Sequence, residues 1–384
     1  MDFAFSDDQV AIRDTVRRFA MDRLAPLYRQ REQNGEIGRD VIGEMGELGL
    51  IGTDLPTEYG GLGLDCVTAG VIIEEIAAAD LNVSYIQLLA SLNGRILADH
   101  ATPDFAAQTI GELCSGEKIS ALGLTEPRGG SDAAGLILRA RKEGDDYILN
   151  GEKASISMST QADMVMLFAR TGAEEERSRG VSTFYAPLNL PGVSRTAFED
   201  MGHGAVGRGS LFFDDVRISG SCLLGEEGAG FRQVMHGFDF SRALIGLMVL
   251  GPARQSLAEA WQYSTEREAF GKPIAAYQGV TQPLAECETY LEAATTLCYK
   301  TLWLRDNGLP HTKEAAMVKW WAPKVAFDII HQSLLTHGHY GYTKDLPLEQ
   351  RLRDVLGLQI GDGTAQIQKM VIAREIVGRV ALPY

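Results

Sequence analysis

The stretch KISALGLTEP, residues 118–127, is where the pattern of the chain changes from helical to extended. From there to DDVRIS, residues 214–219, the apolar residues occur in short runs such as YIL and MVMLFA. Turn formers such as Asn150-Gly151 separate these runs, as is typical of β-strands joined by tight turns. The pattern therefore predicts a β domain of roughly a hundred residues in the middle of the chain.

Helical patterns lie on both sides of this β region. Ser6 followed by two aspartates predicts a helix start, and further helices are predicted at residues 39–48 and from Cys66 onwards. After GEEGAGF, residues 225–231, long helical patterns return and continue to the end. Helices, then strands, then helices argue against alternating βαβ units. We therefore predict an α+β protein with a helical domain at 1–117, a β domain at 118–224 and a second helical domain at 225–384.

The composition limits the classes of partner. Among 384 residues, 36 Lys and Arg oppose 51 Asp and Glu, and the net charge of −15 argues against nucleic acid or an anionic membrane as the main partner. The longest apolar runs are too short or too interrupted to span a bilayer, so we expect no membrane insertion. MDFAFSDDQ lacks the basic start and apolar stretch of a signal peptide, and the five cysteines form no CxxC pair. These features favour a reduced, cytoplasmic protein.

Two short patterns imitate known binding motifs. GHGAVG, residues 202–207, satisfies G-x-G-x-x-G, but the strand-like run LFFDDVRI follows where a dinucleotide-binding fold needs a helix. His337 and His339 form an H-x-H pair, but no further ligand is clustered with them at a recognisable spacing. We therefore predict neither a Rossmann-type nucleotide site nor a metal site.

The segment QIGDGTAQIQ, residues 359–368, holds one carboxylate, Asp362, between two glycines. Asp-Gly is a common turn dipeptide because both residues tolerate unusual backbone angles. An amphipathic helical pattern follows at once, so the carboxylate would lie at the start of a helix. Read locally, Asp362 is either an ordinary turn residue or a base held against a substrate.

Five segments in order, spread over essentially the whole chain, together resemble the acyl-CoA dehydrogenase family. They are PTEYGGLG (56–63), GLTEPRGGSDAAG (123–135), YILNGEKASIS (147–157), EREAFGKPIAAYQG (266–279) and RLRDVLGLQIGDGTAQIQKMVIARE (351–375). The resemblance implies an N-terminal helical domain, a central β-barrel-like domain and a C-terminal four-helix bundle. It also implies FAD bound without a Rossmann fold, a homotetramer, an acyl-CoA substrate, and an electron-transferring flavoprotein as electron acceptor.

Dehydrogenation of a thioester between its α and β carbons needs a base for the α proton and a cofactor that takes the β hydrogen as hydride. The thioester carbonyl must also be polarised as negative charge develops on it. In the family the base is a carboxylate in the loop before the last helix, and Asp362 falls on that position. Some relatives take the base from a position that is Ser241 here, which cannot serve. We expect the apolar surroundings, including Ile360, to raise the pKa of Asp362.

The resemblance assigns further site residues one by one. Those implied to contact FAD are Leu122, Leu124, Thr125, Gly130, Ser131, Ser155, Ser157, Arg267, Phe270, Gln278, Leu335, Gly338, His339, Thr364 and Gln366. Those implied to contact the thioester are Ser131, Asp239, Arg242 and Gly363. In this set Ser157 takes the place of a hydroxyl near flavin N5, and Arg267 and Gln278 match residues that hold a neighbouring subunit's FAD. Asp239 and Arg242 also permit a plain structural ion pair.

Three departures from the family pattern remove volume beside the reacting carbons. The base is Asp362 rather than the longer Glu, Gly361 stands where Tyr is common, and Ser155 replaces a Trp that usually covers the flavin. Because voids are costly, a substrate with a ring or an α branch would fill the space. We therefore expect an alicyclic acyl-CoA such as cyclohexane-1-carbonyl-CoA. The alternatives are a straight- or short-chain acyl-CoA dehydrogenase, a nitroalkane-oxidase-like flavoenzyme, an acyl-CoA oxidase, and an inactive acyl-CoA-binding protein.

Overall fold

A computed structural model describes residues 4–381, and its first part is helical. The helices are α1 Asp7–Phe19, α2 Tyr28–Asn34, α3 Arg39–Glu47, α4 Cys66–Ala79, α5 Leu81–His100 and α6 Pro103–Cys114. Ser6 caps α1: its hydroxyl accepts from the Gln9 N–H, and the Gln9 side chain accepts from the Ser6 N–H. At Pro26 the chain passes through a π turn and a 3-10 turn, which end α1 before α2 begins.

Helices α4 and α5 are buried along almost their whole length. Neither helix keeps a polar stripe for solvent, as expected for helices surrounded by protein, and even Glu75 of α4 and Gln87 of α5 are buried. Helix α4 packs against α1 on one side and against the C-terminal helices on the other, while α5 also touches the first strand of the sheet. Side chains on α5 can therefore reach the middle of the molecule.

The central part is one curled sheet with seven strands. They are β1 Ser120–Gly123, β2 Arg139–Glu143, β3 Asp146–Ile156, β4 Met164–Arg170, β5 Val181–Pro187, β6 Val193–Ala197 and β7 Gly209–Ser219. The order is β1-β4-β2-β3-β7-β6, with β5 paired to β4, and β4 runs parallel to β1 and β2 while the remaining pairs are antiparallel. The stretch GHGAVG leads directly into β7, so it opens a strand and not a helix. The prediction that it is no dinucleotide motif is confirmed.

Strand β3 contains an irregularity that the sequence did not reveal. Its register against β7 shifts between Lys153 and Ile156, where Ser155 adopts a left-handed backbone conformation with φ +61°. A bulge of this kind re-aims side chains by inserting an extra residue in one strand. As a result Ser155 is exposed, while Ser157 beyond it is half-buried.

The C-terminal part is again helical. It comprises α7 Gly230–Glu266, the hairpin β8 Glu268–Ala269 and β9 Lys272–Pro273, α8 Gln278–Asp306, α9 Thr312–His337, α10 Leu348–Gly357 and α11 Ala365–Val377. Helix α7 packs most extensively on α9, and α9 continues through Pro323 without a break. Helix α7 is long and apolar enough to cross a membrane by composition, but 83% of its most apolar window is buried within the protein. It is therefore the central helix of this bundle.

All five cysteines are free and buried. Cys66 and Cys114 lie in the N-terminal helices, Cys222 follows the sheet, and Cys287 and Cys298 lie on α8. Burial raises the pKa of each thiol, for example to about 11 for Cys114 and Cys287. None of the five is a reactive thiolate at neutral pH.

Candidate active site

Asp362 lies in the short loop between α10 and α11, and its backbone is held by the start of α11. Asp362 and Gly363 both adopt left-handed conformations, with φ +53° and +95°. Thr364 caps α11, because its hydroxyl accepts from the Ile367 N–H at 3.4 Å. The Gln368 side-chain amide donates to the carbonyls of Asp362 at 3.4 Å and Gly363 at 3.3 Å. The loop geometry is therefore specified by several contacts rather than by the turn dipeptide alone.

Glycine is required at position 363. A Cβ atom there would lie 2.2 Å from the Gln368 amide nitrogen, in a backbone conformation that side chains rarely adopt. Gly361 differs, since a Cβ at that position would meet only the Gly357 carbonyl oxygen at 3.7 Å. The space beside Gly361 is open.

Burial raises the pKa of the Asp362 carboxyl, and Lys319, Arg242 and Arg208 each act to lower it. The predicted direction is correct, but the predicted contribution of Ile360 is wrong. The Ile360 side chain is 69% exposed and points away from the protein interior, so it cannot desolvate the carboxylate. Asp362 as a residue is half-buried, and the cations of Lys319, Arg242 and Arg208 lie near enough to act on its carboxylate.

Lys319, on α9, also supports this loop. Its side chain is buried, and its ammonium donates to the Leu358 carbonyl at 2.7 Å and contacts the Gly363 carbonyl at 3.5 Å. Burial lowers the pKa of Lys319 to about 8, while the negative charge of Asp362 acts in the opposite direction. Sequence reasoning missed this residue, although a lysine within the apolar run AAMVKWWA was a signal that it had a buried partner.

Asp239 and Arg242 are paired with each other on α7. Arg242 Nη1 lies 3.1 Å from Asp239 Oδ1, and the other Asp239 oxygen accepts from the Thr312 hydroxyl at 2.6 Å. The structural ion pair that the sequence allowed is therefore present. Arg242 still has a buried Nε without a partner among residues 4–381, and its charge acts on Asp362. It is thus both a structural residue and part of the site.

The segment from Leu122 to Glu126 continues from β1 and is held by hydrogen bonds from strand β3. The Thr125 carbonyl accepts from the Ala154 N–H at 2.9 Å. Lys153 is fully buried, and its ammonium donates to the Leu124 carbonyl at 3.1 Å and to Glu126 at 2.8 Å. Beyond this anchor Gly130 and Ser131 are exposed. Strand β3 thus fixes the part of the chain that the resemblance assigns to the flavin.

Tyr85, on α5, lies close enough to Ser157 and Asp362 for both to act on its pKa. Ser157 acts to lower this pKa, whereas the charge of Asp362 acts to raise it. The Tyr85 side chain is buried, and that burial is the main cause of its raised pKa. Residues from all three parts of the fold therefore meet here, and sequence reasoning had missed Tyr85.

The other predicted FAD contacts lie at the opposite end of the bundle. Arg267, Phe270 and Gln278 are exposed on or beside the hairpin after α7. From Arg242 to Arg267 helix α7 rises by about 37 Å, at about 1.5 Å per residue. One dinucleotide cannot reach from Asp362 to this end of the same chain. The two predicted groups are thus not brought together within one subunit.

The predicted loop at the end of α9 belongs to the same distant end. Leu335, Gly338 and His339 are exposed there, and Tyr263 near the end of α7 stacks on His337 with ring centroids 4.5 Å apart. His337 is buried with Nδ1 at 2.8 Å from the Ser333 carbonyl oxygen, whereas His339 is exposed. The two histidines do not converge, and residues 4–381 contain no cluster of three potential metal ligands.

The donors at both ends fit FAD. In the segments that the resemblance assigns to the flavin, the exposed or half-buried hydroxyls of Thr125, Ser131, Ser155 and Ser157 suit the polar edge of a flavin. The start of α11, at Thr364 and Gln366, offers free backbone N–H groups of the kind that bind phosphate. At the distant end the Arg267 guanidinium forms no ion pair with the described part of the chain, as suits a phosphate ligand.

Sequence profiles match the chain in three consecutive parts. The acyl-CoA dehydrogenase N-terminal domain matches residues 6–117, the middle domain residues 121–216 and the C-terminal domain residues 228–377. Among curated relatives, a probable acyl-CoA dehydrogenase, YngJ of Bacillus subtilis, is 34% identical over 98% of this chain and 100% of its own. The mouse mitochondrial short-chain specific acyl-CoA dehydrogenase is 35% identical over 95% of this chain and 89% of its own. Benzylmalonyl-CoA dehydrogenase of Aromatoleum aromaticum is 34% identical over 98% of this chain and 100% of its own.

Solved structures agree with these relatives. Butyryl-CoA dehydrogenase of Megasphaera elsdenii superposes with a TM-score of 0.94 at 31% identity, covering 98% of this chain and 100% of its own. A glutaryl-coenzyme A dehydrogenase in complex with glutaryl-CoA gives 0.95 at 30% identity, covering 99% and 98%. A chain from a structure described for the electron transferring flavoprotein of Acidaminococcus fermentans superposes with a TM-score of 0.95 at 33% identity, covering 98% of this chain and 100% of its own. With its helical, β and helical parts in this order, the chain belongs to the acyl-CoA dehydrogenase family of FAD-dependent oxidoreductases.

Proposed function

We propose that this dehydrogenase acts on acyl-CoA thioesters whose acyl group carries a ring or an α branch, such as cyclohexane-1-carbonyl-CoA or its ring-unsaturated relatives. The reaction class, dehydrogenation between the α and β carbons, follows from the family. The observation that supports the finer proposal is the open space beside the short carboxylate. Gly361 has no atom closer than 3.7 Å to a Cβ built on it, and Ser155 is exposed. A compact ring would fill space that a thin chain leaves empty.

Asp362 is the proposed base for the α proton. Burial raises the pKa of its carboxyl, which makes the carboxylate a stronger base, and the cations of Lys319 and Arg242 favour its charged form. The hydrogen bonds from Gln368 and the cap at Thr364 hold its loop in one conformation. A rigid base of this kind loses little entropy when it meets the substrate.

The other residues would bind and orient. FAD, when bound, supplies the acceptor for the β hydride. Ser157 would hold the flavin near N5, and the segment from Leu122 to Ser131 would lie along the ring system. The Asp362 backbone N–H would polarise the thioester carbonyl, beside Gly363 and Arg242. The α proton passes to the Asp362 carboxylate as the β hydrogen leaves with its electron pair, so the thioester loses two hydrogens in total.

Short-chain substrates are the second candidate. The mouse relative is named for short-chain thioesters, and a structural relative is named for butyryl-CoA. Benzylmalonyl-CoA dehydrogenase is, in contrast, named for an acyl group that carries a ring. A nitroalkane-oxidase-like activity would need no CoA contacts, yet Ser131, Asp239 and Arg242 are all retained. A panel of thioesters therefore separates these candidates.

The test is an anaerobic titration of the purified flavoprotein with cyclohexane-1-carbonyl-CoA, followed by loss of the oxidised flavin absorbance. We expect rapid bleaching with this thioester and slower bleaching with butyryl-CoA and octanoyl-CoA. Faster bleaching by the straight chains would overturn the alicyclic proposal and leave the family activity intact. No bleaching by any thioester would contradict the dehydrogenase function itself.

The matched variant for this titration is Asp362→Asn. Asparagine tolerates the same left-handed backbone, so the loop should keep its shape while the base is lost. We expect the bleaching rate to fall by about a hundred- to ten-thousand-fold, with FAD content and thioester binding retained. A variant as fast as the parent would exclude Asp362 as the base.

We further propose a cytoplasmic homotetramer that passes electrons to an electron-transferring flavoprotein and neither binds nucleic acid nor enters a membrane. The distance of about 37 Å between Arg242 and Arg267 supports a shared site, because the second group can serve only a neighbouring subunit's FAD. The charge of −15 supports the exclusion of nucleic acid. Reoxidation of the substrate-reduced enzyme by purified electron-transferring flavoprotein tests the acceptor.

A further inference from the structure

The imidazole ring of His203 lies directly against the end of α10, the helix that precedes the loop of Asp362. A Cβ atom built on Gly357, the last residue of α10, would be 2.6 Å from the ring atom Cε1 and 2.9 Å from Nδ1. The same ring packs edge-to-face on Tyr85 of α5, with centroids 5.5 Å apart. A side chain at position 357 would therefore require the ring or the helix to move.

The backbone around His203 is attached to the same helix. His203 is left-handed with φ +60°, and its N–H donates to Asp354 Oδ1 at 2.6 Å. Two residues earlier, the Met201 carbonyl accepts from the Arg353 guanidinium at 2.8 Å. Between them Gly202 runs so close to α10 that a Cβ atom there would lie 2.6 Å from the Arg353 carbonyl oxygen. The loop before β7 and α10 therefore fit together without free space.

A buried carboxylate joins this contact to two further helices. Asp354 is fully buried, and its second oxygen accepts from the Tyr28 hydroxyl at 2.6 Å and from the Asn82 amide at 2.9 Å. Tyr28 lies on α2 and Asn82 on α5. One group of hydrogen bonds therefore holds together the loop of His203, two N-terminal helices and α10.

The end of α10 determines where Asp362 lies. The Gly357 carbonyl accepts from the N–H groups of Ile360 and Gly361, both at 3.1 Å, so the chain turns immediately after the helix. Asp362 is the next residue, and a shift of Gly357 reaches it through this tight turn. A base must lie within hydrogen-bond reach of the proton it takes, and a misplacement of about 1 Å can slow a reaction about a hundredfold.

We infer that His203 is a positioning residue for the base, whose imidazole ring, packed on Gly357, fixes the end of α10 and thereby the place of Asp362. The inference rests on the proposed role of Asp362 and deepens it. The ring acts by its shape, since its Nε2 is buried and has no hydrogen-bond partner among residues 4–381. Burial also lowers the pKa of His203, so the ring is uncharged at neutral pH.

The test is a double-mutant cycle on the two partners of this contact. Gly357→Ala adds a methyl group against the ring, and the end of α10 must move by about 1 Å to restore an ordinary contact between carbon atoms. We measure the rate of flavin reduction at saturating thioester, with whichever of cyclohexane-1-carbonyl-CoA and butyryl-CoA bleaches the wild-type protein faster. This rate should fall by about a hundredfold, while the Kd of the thioester and the FAD content stay unchanged.

His203→Gly completes the cycle. Glycine adopts the left-handed backbone freely and keeps the N–H that donates to Asp354. The three atoms nearest to the methyl group added at position 357 all belong to the His203 ring, so the methyl group fits once the ring is gone. The double variant should therefore reduce its flavin about tenfold faster than Gly357→Ala, or more. His203→Gly alone should be slower than the wild type, because the end of α10 is no longer held by the ring.

Gly43→Ala is the matched control. Gly43 also lies in a helix, α3, but a Cβ atom there would meet no packed neighbour within 4 Å. This variant should keep the wild-type rate. The inference is overturned if Gly357→Ala also keeps that rate, or if Gly357→Ala has the same effect with and without the ring of His203. A rise in Kd as large as the fall in rate would overturn it too.

A second measurement does not depend on turnover. Amide hydrogen exchange of residues 358–363, followed by mass spectrometry, should be faster in His203→Gly than in the wild type, because the end of α10 opens more often. If the wild-type protein is bleached by no thioester, the proposed function fails, and this exchange still decides whether His203 holds the loop. Equal exchange in the two proteins would overturn the inference.

Discussion

At the scale of single residues, the base and the lysine beneath it act as a pair. Lys319 is buried next to the loop that carries Asp362, and it donates to carbonyls at two points of that loop. Each charge stabilises the other, because the carboxylate raises the pKa of Lys319 and the ammonium lowers the pKa of Asp362. We regard Lys319 as a positioning residue, since it acts on the substrate only through Asp362.

The pH dependence of activity tests this pair through Lys319→Met, which keeps the length of the side chain and removes the charge. Loss of the cation disfavours the carboxylate, so the pKa of Asp362 should rise further above its ordinary value. Because the ionised carboxylate is the base, activity is lost as pH falls through this pKa. The acid limb of the kcat/KM profile should therefore move to higher pH, by about one unit or more.

Lys324→Met is the control for that profile. Lys324 lies on the same helix, but it is exposed and paired with Asp328 one turn away. Its removal should leave the acid limb where it is in the parent enzyme. If both variants gave the parent profile, or if Lys319→Met moved the limb to lower pH, the electrostatic role of Lys319 would be refuted.

The sequence revealed Asp362 but neither Lys319 nor Tyr85. Asp362 stands in a recognisable motif, and its loop position follows from the helix start at Thr364. Lys319 and Tyr85 lie inside helices, and a helix position does not tell which distant loop it faces. Their places near the base depend on contacts between residues far apart in the chain, which no local pattern records.

At the scale of elements, strand β3 supports the flavin-facing segment through one buried ion pair. Lys153 and Glu126 are both almost fully buried, and Glu126 also accepts from the N–H groups of Ile137 and Leu138 at 2.8 Å. Burial lowers the pKa of Lys153 to about 8, and the ammonium in turn helps to lower the pKa of Glu126. Both charged groups of this pair have hydrogen-bond partners, but removal of either residue would leave the other charge buried without its counterion.

Lys153→Met should therefore destabilise the protein strongly. It leaves the Glu126 charge buried without its cation, for which the cost is about 3–5 kcal/mol in the free energy of unfolding. Chemical denaturation followed by circular dichroism measures this loss, and flavin release should accompany it. The double change Lys153→Met with Glu126→Gln should recover part of the stability, because the uncompensated charge is then absent.

The exposed pair Arg141–Glu143 on β2 is the control for that measurement. Both side chains face solvent, where ion pairs contribute little. Arg141→Met should leave the unfolding curve unchanged. A Lys153→Met protein as stable as the Arg141→Met protein would show that the buried pair does not anchor the segment.

The order of the elements was predictable, and their local irregularities were not. Helical spacing, the Ser6 cap and the turn residues between strands gave the helix–strand–helix order that the family profiles confirm. The predicted domain boundaries after residues 117 and 224 remain predictions. The bulge at Ser155 could not be foreseen, because serine carries no preference for a left-handed conformation and the shift depends on pairing with β7.

At the scale of the whole molecule, the end of the bundle that carries Arg267 exposes large apolar side chains. Contact of these side chains with water is unfavourable for an isolated subunit. They are Phe270, close to Arg267 along the chain, and Leu335, Tyr340 and Tyr342, at and after the end of α9. Phe270 is 96% exposed and its backbone is left-handed, with φ +52°. A patch of this kind usually marks a contact with another protein surface.

Phe270→Asp should weaken the proposed homotetramer. A charge at this apolar position would have to be buried without a partner when subunits meet, so the mass measured by light scattering should fall and FAD should dissociate more readily. Leu48→Asp places the same charge on an exposed residue of the N-terminal helices and should leave the mass unchanged. Retention of the parent mass by Phe270→Asp would contradict a role for this hairpin in assembly.

The five buried thiols are built-in reporters of local opening in the different parts of the protein. Cys66 and Cys114 report on the N-terminal helices, Cys222 on the sheet, and Cys287 and Cys298 on the bundle. Since a buried thiol reacts with a reagent only during a local opening, each rate of modification reads the opening frequency of one region. Mass spectrometry of the native chain would thus show which region loosens first on warming, without any added label.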